Sequence, residues 1–180
     1  MEIHLFTERS LWTMMHGIVL SGAALMALSA ALFSLYIIRA GNASETVAQI
    51  QARHLVWLTI FISVMLWLTV LVGTYIVFPP YRATPPEGLA DLRMYPRALL
   101  RSDPTTAWLH SFAMETKEHV PWIAAMLATA VAFVSARYRS RLLIDPQLNK
   151  MATWLLAICL LLVSYVALLG VFINKVAPLE

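Results

Sequence analysis

Charge is scarce in this chain. Of 180 residues, 13% are Asp, Glu, Lys or Arg, 60% are hydrophobic, and the mean hydropathy is +0.72. A soluble domain of this size has too little interior to hide that much apolar surface, so water is not the main solvent. Cysteine is nearly absent. Cys159 stands alone inside an apolar run, which excludes an internal disulfide and a thiolate metal cluster. No glycine-rich phosphate loop, nucleophile elbow or zinc signature is present, so the soluble catalytic classes lose their motifs. The net charge of +3 is dispersed in loops rather than gathered in a stripe, and nucleic acid has no basic face to bind. A basic stretch with a small-residue cleavage site is missing too, and the first apolar run is too long for a signal-peptide core, so it is read as retained.

What is present is apolar length. Four stretches run free of charged side chains, from Leu11 to Ile38, Leu55 to Tyr81, Val120 to Ala136 and Met151 to Asn174. A membrane crossing needs about 20 such residues. The expectation is an all-α integral membrane protein forming one membrane domain, a four-transmembrane-helix bundle. Its predicted helices cover about 10–38, 54–78, 104–138 (with the span from about 119) and 149–175, with an extramembrane loop at about 79–103. Gly41-Asn42 reads as a turn, and Pro79-Pro80 as a stop for the second helix. Asp103-Pro104 reads as an N-cap with proline at the first helical position, and Asp145-Pro146 opens the approach to the fourth helix. Pro121 is expected to bend the third helix. The short loops carry Arg39, Arg53, Arg137, Arg139, Arg141 and Lys150, so the positive-inside rule places both termini on the outer, periplasmic side of a cell inner membrane.

A faint repeat runs through the chain. The second apolar run closes with Leu71-Val72-Gly73-Thr74-Tyr75-Ile76 and the fourth with Leu168-Leu169-Gly170-Val171-Phe172-Ile173. The same order of aliphatics, glycine, β-branched residue, aromatic and isoleucine suggests two tandem helical hairpins related by a pseudo-two-fold axis along the membrane normal. His16 precedes Gly73 and His119 precedes Gly170 by similar distances, so the two imidazoles are expected to face each other.

Two facing histidines in a bundle suggest a haem b. Such a site needs axial imidazoles, small residues against the macrocycle and cations near its propionates. His16 and His119 would ligate the iron, Gly17 (with Ser21 and Ala24) would face the ring, and Arg97, Arg101 or Arg82 would meet the propionates. Glu115, one turn before His119, would take the ring's other N–H. Glu115, Glu118, His119 and Tyr75 could also line a quinol site, where a carboxylate or imidazole takes a proton as an electron leaves. The bland reading keeps both histidines at the interface, with the glutamates paired to Lys117 or an arginine. Copper and di-iron sites are disfavoured, because no histidines are spaced three or four apart and Glu-x-x-His is missing.

The functional expectation is a small membrane subunit of a respiratory or photosynthetic electron-transfer complex, a b-type cytochrome exchanging electrons with quinol or quinone. Its partners would be the lipid bilayer and other membrane or periplasmic subunits. The alternative is a cofactor-free accessory subunit that stabilises a larger membrane complex. A transporter is disfavoured, since no charged residue lies mid-span.

Overall fold

The computed structural model describes residues 7–40 and 44–177. The Gly41-Asn42 turn, His4 and Pro178 lie outside the described residues. Among those described all regular structure is helical, with no strand. Four helices are long and apolar enough to cross a membrane: Glu8–Arg39, Glu45–Arg82, Leu109–Arg137 and Pro146–Val176, here the first to fourth spans. Each packs on the next, and the first also packs on the fourth, closing a four-helix bundle. One end carries the 83–108 connection and is the loop end; the other, with the 40–44 and 138–145 connections, is the short-loop end.

The helix ends follow local chemistry. Ser44 caps the second span, its Oγ accepting from the Val47 N–H at 3.4 Å, so this helix begins at Glu45 rather than near residue 54. Asp145 caps the fourth, its Oδ1 accepting from the N–H groups of Gln147 and Leu148 at 2.9 and 3.2 Å, with Pro146 at the first helical position as expected. Asp103 holds the approach to the third span, its Oδ1 accepting from the Thr105 N–H at 2.8 Å. Pro79-Pro80 does not stop the second span, which runs on to Arg82. The wider π-helical turn at Gly73–Val77 loosens the ladder just where the prolines have no N–H to give.

The core is built from small residues on the third span against larger ones on its neighbours. Ala124, Ala125, Ala128 and Val131 are buried on the third; Leu55, Ile62 and Leu66 on the second; Leu156 and Cys159 on the fourth. Ala24, Leu28, Ala31 and Leu35 give the first span its buried stripe at helical spacing. Lipid tails are as apolar as leucine, so close van der Waals approach, rather than escape from water, holds such helices together. The Cys159 thiol reports how close they come, lying 3.7 Å from the Ala124 carbonyl. Large apolar side chains such as Met26, Phe33, Leu161 and Trp154 point outward, where lipid would cover them.

One polar seam crosses the second and third spans. Thr129 Oγ1 lies 2.9 Å from Ser63 Oγ and accepts from Trp67 Nε1 at 3.0 Å, and Trp67 meets Trp122 edge to face. Thr129→Val should therefore destabilise the bundle by about 1 kcal/mol, since interhelical hydrogen bonds in membranes are worth roughly 0.6 kcal/mol each. Equilibrium unfolding in detergent checks this, and a variant indistinguishable from the parent would deny the seam any role.

The 83–108 connection is docked rather than free. Its short helix Pro96–Ser102 buries Pro96, and its Leu100 joins a second cluster with Tyr81, Leu109, Ala113, Leu169 and Ile173. Within it Asp91 accepts from Arg93 Nη2 at 2.8 Å, which pulls the Asp91 carboxyl down to about 2.

Candidate functional site at the loop end

Three of the four spans turn π-helical at the loop end, at Met15–Leu20, Gly73–Val77 and Leu109–Met114. Such turns widen the helix by one residue, re-aim side chains and recur at functional sites. His16, Gly73 and His110 each lie in one of them.

His16 points into the bundle and rests on the second span. A Cβ built on Gly73 would lie 2.6 Å from His16 Cε1, so glycine is the residue that admits the imidazole here. Gly170, the repeat partner of Gly73, does the same for a different side chain. A Cβ there would lie 2.8 Å from Lys117 Nζ. The two hairpins thus seat one ionisable group each on equivalent glycines, and His16 and Lys117 are close enough to feel each other's charge. The His16 Nδ1 is buried with no hydrogen-bond partner, and no acidic side chain pairs with Lys117 among the described residues. Pro121, inside the third span, also deprives the Lys117 carbonyl of its donor four residues on.

The expected pairing of His16 with His119 does not occur. His119 lies on the exposed side of the third span, two positions past Lys117, and its Nδ1–H donates to the Glu115 carbonyl at 2.7 Å. That backbone oxygen, not the Glu115 carboxylate, orients the ring. The physical reason is helical phase: two residues turn a side chain through roughly 200°, so Lys117 faces in and His119 faces out. Gly17 is exposed, and a Cβ there would meet nothing within 4 Å, so it faces away from the His16–Gly73 contact. A haem b bridging His16 and His119 does not fit this arrangement, because the two rings do not open onto a common space.

A second polar group lies alongside. Tyr81 is buried, and its hydroxyl lies 2.9 Å from His110 Nδ1. Arg97, Glu118, Glu115 and Arg101 all act electrostatically on this pair. Arg97 is half-buried, with its Nε unpartnered; Arg101 and Glu115 are exposed and Glu118 is half-buried. Arg9, from the start of the first span, reaches over and donates from Nη1 to the Met94 carbonyl at 3.3 Å, with its Nε and Nη2 unpartnered. Tyr75 is exposed on the outer surface of the second span and joins neither group.

Sequence reasoning missed Lys117 and the Tyr81–His110 pair. The signal for the first was already in the repeat, since each glycine leaves room for a side chain one helix back. The second had no sequence signal, because the docked loop buries Tyr81.

Chemically, the loop end offers an inward imidazole with a free ring nitrogen, an inward ammonium, and a tyrosine–histidine–arginine–glutamate group leading to the surface. No group of three or more histidine, cysteine or acidic residues disposed to hold a metal ion occurs among the described residues. No family model matches this chain, and no curated protein or solved structure matches it either.

Proposed function

We propose that this chain is a small membrane subunit of a respiratory or photosynthetic electron-transfer complex, and that it handles a quinol and its proton at the loop end. The observation that carries the proposal is the inward pair His16 and Lys117, seated on Gly73 and Gly170 within an apolar bundle. Ionisable groups at membrane depth are expensive to keep and, as a default, mark proton or substrate paths. The unpartnered His16 Nδ1 accepts the proton of a quinol hydroxyl. The Lys117 ammonium stabilises the oxygen anion that this leaves. The quinol's two electrons pass to a redox centre of a partner subunit; its first proton leaves through His16, the second follows once His16 is free again, and Glu118, His110 and Tyr81 lead both protons outward. The loop end then faces the outer, periplasmic side of the inner membrane. Haem b has no place in this reading.

The complex, isolated in mild detergent with its native partners, is the material for the test. Quinol oxidation with an artificial acceptor should fall at least about a hundredfold in His16→Ala with the complex intact, a loss typical of removing a general base. Unchanged turnover in both His16→Ala and Lys117→Met would favour the accessory-subunit reading instead.

A further inference from the structure

We propose that the short-loop end binds the headgroup of a phospholipid carrying a primary ammonium beside its phosphate. A cavity of about 90 Å³ lies between the end of the first span and the start of the fourth. Asn149 is one of the residues that line it. This residue is 2% exposed, yet neither its Nδ2 donor nor its Oδ1 acceptor has a partner. A buried amide with both ends unsatisfied is unfavourable, and native proteins leave few of them, so the side chain calls for a ligand that both accepts and donates.

Charge at the mouth narrows the class. Arg39 and Asp145 line the cavity and are exposed, one cation and one anion. Asp145 spends Oδ1 on the helix cap, while its Oδ2 makes no bond among the described residues. A simple anion would meet the Asp145 carboxylate, and a simple cation would meet the Arg39 guanidinium. A zwitterion satisfies both: phosphate toward Arg39 and Asn149 Nδ2, ammonium toward Asp145 Oδ2 and Asn149 Oδ1. Ile38, Leu142 and Leu143 supply an apolar wall beside the charges.

Depth points to a lipid source. Arg39 ends the first span and Pro146 begins the fourth, so the cavity lies at headgroup level, with exposed apolar helix surface alongside for acyl chains. Free phosphoethanolamine compounds share the headgroup chemistry but would gain nothing from that surface. Water is the other candidate, since such a volume holds about three molecules.

Delipidated protein in detergent tests the proposal through its thermal midpoint and through lipids retained in native mass spectrometry. Added phosphatidylethanolamine should be retained and raise the midpoint by about 5 °C, the size expected for a ligand well above its dissociation constant. Phosphatidylcholine, whose ammonium cannot donate hydrogen bonds, should do neither. Phosphatidylglycerol should also fail. Asn149→Leu, which removes the unsatisfied amide without shrinking the side chain, should fold and lose the shift, and Arg39→Gln should reduce it. Equal shifts with phosphatidylethanolamine and phosphatidylcholine would overturn the proposal. So would a larger shift with phosphatidylglycerol, an equal one with soluble glycerophosphoethanolamine, or a full shift retained in Asn149→Leu.

Discussion

Lys117→Met is expected to give a protein more stable than the natural one by about 1–3 kcal/mol and, on the quinol reading proposed above, one whose complex no longer oxidises quinol. The lysine lays its ammonium over Gly170 on the fourth span, with no acidic partner within ion-pair distance among the described residues. Removing an ammonium from water is unfavourable, and here no counter-charge offsets it. Methionine keeps the length and flexibility of the chain, so it fills the same space over Gly170 without the charge. Stability gained by deleting a charged group, at the expense of activity, is the pattern expected of a working residue. Denaturant or thermal unfolding in detergent measures the first half, and quinol oxidation by the isolated complex the second. A destabilised variant would show that the ammonium has a structural partner after all.

Gly73→Ala should be the most damaging single methyl group in the bundle. The new Cβ would lie 2.6 Å from His16 Cε1, and also 3.2 and 3.3 Å from the two ring nitrogens. An imidazole is rigid, so the ring must leave or the first and second spans must separate; overpacking of this kind costs about 1–3 kcal/mol. Gly170→Ala makes a useful contrast. There the intruded atom is the tip of a flexible lysine, which can swing aside, so the expected loss is below about 0.5 kcal/mol. His16→Ala should rescue Gly73→Ala, and the double-mutant cycle isolates the contact. Equal unfolding free energies for Gly73→Ala and Gly170→Ala would mean that the imidazole does not rest on Gly73 in the membrane.

Much of the scaffold was legible from composition alone. Four long, unbroken apolar runs read as helices once lipid is the solvent, because a helix satisfies every backbone N–H and C=O within its own segment, whereas barrel strands are short and alternate apolar with polar residues. The cap at Asp145 was equally readable, since a carboxylate before a proline satisfies the free N–H groups of a first turn; Asp103 instead follows the Pro96–Ser102 helix and holds a turn, with Pro104 outside any helix. The Gly73 and Gly170 repeat was visible too.

Other features were decided only by the fold. Ser44 extended the second span backward, and the π-helical turn at Gly73–Val77 carried it through two prolines. Docking of the Pro96–Ser102 helix buried Tyr81 against His110. Above all, which of Lys117 and His119 enters the bundle is a question of helical phase. A two-residue step moves a side chain to the other side of the helix, and residue types, both polar and both next to the same glutamates, do not reveal that phase. From sequence, then, come the solvent, the helices and the glycine seats. Tertiary contacts decided what occupies those seats, because a glycine leaves a space, and only the facing helix settles which side chain fills it.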